Sequence, residues 1–328
     1  MGRHHARVYA DLEGCDLIGV VDADAERAGQ IADRHECRAM DSVRALIDAG
    51  VQAVSIAVPT TAHAEVAGPL LEHGIACLIE KPLAQTAESA REIRDLATSA
   101  GALLMVGHIE RFNPIMLAMQ RATRDGEPIV PRFMEIHRVS PMTFRSVDIG
   151  VVMDMMIHDL DVVLMLMDGA EPDEIQAAGV ALITEHEDVC NARLTWRRPG
   201  ATCVANITAS RLALKTERVT RITGENAYIK LDYAAKKGTI IRRTANEIQM
   251  REIAEQIRGG ADLTSLDWSE LVNIEPLEIG DGEPIVMEIK AFLECVRTGH
   301  RPWIDAEAGL ANVRTAQRIV RAIKETMG

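Results

Sequence analysis

Apolar and polar positions alternate in blocks over the first 112 residues. Short apolar runs at Leu17–Val21, Ala53–Val58, Ile75–Ile79 and Leu103–Val106 have the length and near-continuous hydrophobicity of strands buried on both faces. Helical stretches lie between them, at Ala25–His35, Ser42–Ala49, Ala62–His73 and Ala87–Ala100, with a weak strand near Cys37–Met40. Gly50, Gly74 and Gly101 stand where helices should stop, as left-handed caps require. Strands alternating with helices through short loops predict βαβ units and a parallel sheet. After Phe112 the rhythm changes. A helix at Pro114–Arg124 leads to a strand around Val130–His137, and a long apolar helix is expected at Val151–Met167. Strands then follow at Ile175–Thr184, Asn191–Trp196, Thr202–Ala209, Arg218–Thr223, Ala227–Tyr233 and Thr239–Arg243, predicting an open, largely antiparallel sheet. The polar segment Arg251–Leu277 is left unassigned, and helices near Pro284–Thr298 and Ala306–Thr326 close the chain. The fold class is therefore α/β: a Rossmann domain over residues 1–112 and an α+β domain over 113–328.

Composition narrows the function. A formal charge of −13 argues against a nucleic-acid binder, which needs a basic face to displace counterions. Six scattered cysteines form no C-x-x-C pair and fit reduced thiols in the cytoplasm. No uncharged apolar run is long enough for a transmembrane helix, and the N-terminus lacks the apolar core of a secretory signal.

Asp22 ends an apolar strand, the position from which an acid binds adenosine ribose hydroxyls and repels a 2′-phosphate; NAD is favoured over NADP, with a simple helix cap as the plainer role. The glycine-rich turn that should precede it is incomplete. Gly2 stands where the last glycine of G-x-G-x-x-G belongs, and the first strand and two glycines before it are missing. This is read as a misassigned start or a truncated sequence; the rival is a protein that has lost cofactor binding. Glu80-Lys81-Pro82 follows a buried strand, which puts Lys81 at the ligand-binding edge of the sheet and makes Pro82 a candidate for a cis bond. Asp154, His158 and Asp161 interrupt an apolar helix at spacings of four and seven, so they should share one face, as a catalytic set or as an internal polar network. No third donor of suitable spacing joins Asp154 and His158, so no metal is expected. Pro59, Thr60 and His63 follow another strand at the same edge; Thr60 or Thr61 should N-cap the next helix, with the backbone bordering the cofactor. His108, Arg111 and Asn113 lie at the junction of the halves and are candidates to face a substrate. Arg211, with Ser210 and Lys215, is a candidate phosphate patch or a solvated strand edge.

Taken together, Gly2-Arg-His-His-Ala-Arg-Val-Tyr9, Asp22, Pro59-Thr60 with His63, Glu80-Lys81-Pro82, Asp154-x-x-x-His158-Asp159 and Pro284…Glu288…Phe292…Gly299…Pro302 resemble the glucose-fructose oxidoreductase, inositol dehydrogenase and MocA (Gfo/Idh/MocA) family over nearly the whole chain. The resemblance implies a catalytic lysine at Lys81, an Asp-x-x-x-His pair at Asp154 and His158, and cofactor contacts from Gly2, Asp22, Pro59, Thr60, His63, Glu80 and Lys81. It also implies a sugar or cyclitol substrate, and a homodimer or homotetramer built through the C-terminal sheet. Gly107-His-Ile-Glu-Arg-Phe-Asn-Pro114 is similar to the nucleotide-sugar branch, the UDP-N-acetylglucosamine 3-dehydrogenase-like members. An inositol or other polyol dehydrogenase of the same family is the first alternative, and a non-catalytic ligand-sensing Rossmann protein the second.

Overall fold

The computed structural model describes the chain except residues 125–128, 144–146, 199, 245–246, 261–270 and 328. The first half runs α1 (Gly2–Asp11), β1 (Gly19–Val21), α2 (Ala25–Arg34), β2 (Arg38–Met40), α3 (Val43–Asp48), β3 (Ala53–Ile56), α4 (His63–Glu72), β4 (Ala76–Glu80), α5 (Ala87–Ala100) and β5 (Leu104–Gly107). Local chemistry sets the helix limits. Asp24, Ser42 and Thr86 accept the orphan amides at the starts of α2, α3 and α5, and Gly101 ends α5 at φ 63°. Thr60 and Thr61 do not cap α4, contrary to expectation. They form a 3₁₀ turn, Thr60–Ala62, and α4 starts behind Ala62 without a side-chain cap.

The strands are parallel, as predicted, but they form two ladders: β1 pairs with β2, and β3, β4 and β5 run in that order. All five residues of β4, the middle strand of its ladder, are buried. Its apolar run therefore delivers the next residue, Lys81, to the carboxyl edge of a covered sheet.

The second half contains α6 (Pro114–Arg124), β6 (Pro131–Val139), α7 (Ile157–Leu166), β7 (Glu174–Val180), β8 (Val189–Arg198), β9 (Ala201–Ser210), β10 (Glu217–Gly224), β11 (Ala227–Asp232), β12 (Lys237–Arg243), α8 (Glu247–Arg258), β13 (Val272–Pro276), α9 (Pro284–Thr298) and α10 (Ala306–Met327). The unassigned segment thus holds a helix and a strand, with residues 261–270 outside the described part. Eight strands form one open sheet, ordered β13-β12-β11-β10-β6-β9-β8-β7. Each neighbouring pair is antiparallel except β6 with β9, which makes the sheet mixed.

Two apolar cores result. One joins the inner face of the large sheet to α6 and α7. The other packs β3–β5 with α4 and α5 and is completed by Ile285, Ile289 and Phe292 of α9 and Leu310 and Val313 of α10. The last two helices therefore return to the first half. Among the described residues no helix is long and apolar enough to cross a membrane.

Candidate active site

Lys81 leaves the end of β4 through a cis bond to Pro82 and reaches the second half. Its Nζ donates to the main-chain oxygen of Asp154 at 2.9 Å and lies 3.8 Å from Asp154 Oδ1. Asp154 does not sit on a continuous α-helix as predicted. Val152–Met156 is a π-helical turn that runs into α7, and such wide turns recur at functional sites. The turn is held at its start by Glu187, which accepts Val151 N through its carbonyl at 2.9 Å and Val152 N through its carboxylate at 3.2 Å. Gly150 makes room for that carboxylate, since a Cβ there would lie 1.9 Å from Glu187 Oε1.

His158, the second residue of α7, carries an Nδ1 that is buried and has no hydrogen-bond partner among the described residues. Burial, then the charges of Lys81, Arg138 and His108, hold its proton affinity well below that of an ordinary imidazole. Burial also lowers Lys81, opposed by Asp154 and Glu80. His108 is buried with both ring nitrogens unpartnered among the described residues, and burial again favours its neutral form. Beneath these groups lies a buried ionic network. Arg138 of β6 donates to both oxygens of Asp159 at 2.7 and 2.9 Å and reaches Glu110 at 3.3 Å; Arg218 of β10 also pairs with Glu110.

Asp154 and Asp161, expected with His158 on one helix face, meet different partners, and Asp159 between them in sequence meets a third. Asp154 meets Lys81, Asp159 meets Arg138, and Asp161 meets Arg111. Arg111 is therefore corrected from a substrate contact to a structural residue: it is 5% exposed and binds Asp161 through two bonds of 2.8 and 2.7 Å. Asn113 accepts Ile115 N at 3.2 Å and so starts α6. Arg211 is buried, donates to Ile149 O at 2.7 Å and lies 3.8 Å from Asp188, so the proposed basic phosphate patch is not presented there. The His63 ring is buried between the carbonyls of Leu83 and Val58, a brace for the β3 and β4 loops rather than a free ligand.

Asp22, at the carboxyl end of β1, keeps a partly exposed carboxylate 3.3 Å from Arg27. Gly2 opens α1, Pro59 precedes the Thr60 turn after β3, and Glu80 ends β4 with Lys81 next. Asp22, the start of α1 and the ends of β3 and β4 thus lie at strand and helix ends, the positions from which Rossmann folds bind dinucleotides.

Sequence reading gave no site role to two residues that the fold gathers beside Glu80 of β4: His5 of α1 and Glu288 of α9. All three are buried, with one donor atom from each lying within 4.8 Å of the others. Arg138 was missed too; its signal was an arginine at an inward position of an otherwise alternating strand.

A family model described as "Oxidoreductase family, NAD-binding Rossmann fold" matches residues 1–108, and one described as "GFO/IDH/MocA C-terminal domain" matches residues 134–230. The chain is 34% identical to the UDP-N-acetylglucosamine 3-dehydrogenase of Acidithiobacillus ferrooxidans over 99% of this chain and 94% of that protein. It is 31% identical to an inositol 2-dehydrogenase of Rhizobium meliloti over 56% of each chain. The solved Acidithiobacillus enzyme superposes with a TM-score of 0.85 at 33% identity, covering 99% of this chain and 94% of that one. A levoglucosan dehydrogenase in complex with NADH and levoglucosan gives a TM-score of 0.81 at 17% identity over 99% of this chain and 95% of that one, a likeness of fold alone.

Proposed function

This chain belongs to the Gfo/Idh/MocA oxidoreductase family, and from that premise we propose that it oxidises a secondary hydroxyl of a nucleotide sugar of the UDP-N-acetylglucosamine class, with NAD rather than NADP as the acceptor. One observation carries the chemistry: Lys81 and Asp154, from different halves of the chain, meet beside an uncharged His158.

Asp154 offers Lys81 both a carbonyl and a carboxylate, which oppose the effect of burial and favour the ammonium form, able to steady negative charge developing on the substrate oxygen. His158, kept neutral by burial and by the nearby cations, is the group able to accept the hydroxyl proton. Asp154 orients Lys81. His108 lies close enough to affect His158 and lines the same junction. When bound, the dinucleotide supplies the hydride acceptor. Gly2, Asp22, Pro59, Thr60 and Glu80 are the residues that would hold it, with the Asp22 carboxylate disfavouring a 2′-phosphate. Residues 1–112 would serve as the dinucleotide domain and 113–328 as the substrate and assembly domain.

The test follows NADH absorbance with UDP-N-acetylglucosamine, other UDP-sugars, inositols and free sugars. Turnover is expected with a UDP-sugar, and Lys81→Ala and His158→Ala should each lose about 10²–10⁴-fold in kcat while retaining NAD binding. Turnover confined to inositols would replace the substrate class. Undiminished turnover in either variant would remove that residue from the mechanism.

A further inference from the structure

α9 carries a carboxyl group into an apolar core. Glu288 shares its inward face with Ile285, Ile289 and Phe292 and is 0% exposed. Neither of its carboxyl oxygens has a hydrogen-bond partner among the described residues. Opposite it, His5 Nε2 and Glu80 Oε1 lie 2.8 Å apart, and the three side chains bring one donor atom each within 4.8 Å of one another. His5 Nδ1 is in turn held by Ser55 Oγ at 3.1 Å, which meets Tyr9 OH at 2.7 Å.

Three occupants compete for this group. A tetrahedral zinc, with bonds of about 2.0–2.1 Å, keeps its donors roughly 3.3 Å apart. His5 and Glu80 stand at hydrogen-bond separation instead, with a proton between them. An ion pair between Glu288 and His5 is the second candidate, but the imidazole is already bonded to Glu80 and Ser55 on its two nitrogens. A proton on Glu288 itself is the third. It removes the charge from a fully buried carboxyl group that no cation among the described residues pairs with.

We propose that Glu288 is a neutral carboxylic acid in the working protein, coupled to Lys81 only electrostatically through Glu80, the residue that faces both and remains the single carboxylate of this cluster. The groups that face it are His5 and Tyr9 from α1, Glu80 at the end of β4, and Asp161 of α7, itself paired with Arg111. Burial, then the Glu80 and Asp161 charges, drives its proton affinity well above the usual carboxylate range. Glu80 also tightens the hold of Lys81 on its proton. A second anion at Glu288 would add to that hold, so the charge state of α9 is read at the catalytic lysine.

The link to Lys81 rests on the proposed function; the protonation state does not, and the experiment separates them. Infrared spectra of full-length protein labelled with ¹³C-glutamate should show the carbonyl stretch of a protonated acid at neutral pH, lost in Glu288→Gln. Because the acid takes up its proton more readily folded than unfolded, it stabilises fully below the unfolded carboxyl pKa of about 4.3 and less as pH rises toward its own folded value. The Tm of the wild type should therefore fall relative to Glu288→Gln as pH is raised. In turnover, the two proteins should coincide near neutrality, with the alkaline limb of kcat/KM displaced to lower pH in Glu288→Gln, where no late-forming anion keeps Lys81 protonated. Absence of the acid band in the labelled wild type, or one equivalent of tightly bound divalent metal, would overturn the neutral acid. Superimposable alkaline limbs would overturn its coupling to Lys81. If no substrate is turned over, the functional reading fails while the spectroscopic and thermal arms still decide the protonation state.

Discussion

The reactive groups here are set by what surrounds them. Desolvation of its ring and the charges of Lys81 and Arg138 push His158 toward its neutral form, so its protonation is postponed to acid pH. The acid limb of kcat/KM should consequently lie below pH 6.5, the ordinary imidazole value. A limb at or above that value would show a different group to be the base. Replacing Arg138 by Met removes one of the named cations and should move the limb upward, although the unpaired Asp159 left behind will cost stability. Chemical type and spacing singled out Lys81, Asp154 and His158 in the linear chain, because a lysine after a buried strand and acids in an apolar helix are unusual there; the fold brings Lys81 onto Asp154. Arg111 was misread for an equally physical reason. Its partner Asp161 lies 50 residues away, and a sequence does not show which charges will neutralise each other in the interior. Removing one member should show the difference: Arg111→Ala is expected to destabilise by about 3–5 kcal/mol, measured by denaturant unfolding, because it strands a buried carboxylate.

Among the elements, periodicity located most of the strands and helices, and capping residues located many of their ends. It failed where the backbone departs from an ideal period. The π-helical turn at Val152–Met156 inserts a wider ring into a run that reads as one helix, so faces counted at 3.6 residues per turn do not carry across it. The mixed pairing of β6 with β9 was likewise hidden, since a strand's residues do not announce their neighbour's direction. Close backbone approaches were also invisible. A Cβ at Gly107 would lie 3.2 Å from Glu80 Cα and 3.4 Å from its carboxyl group. Gly107→Ala should therefore push the end of β4 by a few tenths of an ångström. Because Lys81 follows directly, kcat should fall by as much as about a hundredfold with smaller loss of Tm. Equal turnover would show that the strand end tolerates displacement.

On the scale of the whole molecule, the proposed site would exist only where the two halves meet, since Lys81 comes from one and Asp154 and His158 from the other. The outer face of the eight-stranded sheet is a second large feature, lined by Glu135, His137, Gln176, Asn191, Arg193, Asn206 and Thr208. We propose that it joins copies of the chain; light scattering should then report a dimer or tetramer, and paired charge reversals at Glu135 and Arg193 should yield monomers. An unaltered assembly in those variants would place the interface elsewhere.

The return of α9 and α10 to the first core has a consequence for biosynthesis. Ribosomal synthesis delivers β3–β5 long before Ile289, Phe292 and Leu310, which complete the apolar layer around them. At typical elongation rates roughly 10–40 s pass between the emergence of the first half and that of the closing helices. Through this interval the nascent chain carries an unfinished apolar surface, a natural client for holdase chaperones. Stalled chains ending at residue 280 should be protease-sensitive in their first half, and resistance should appear only once α10 has left the exit tunnel.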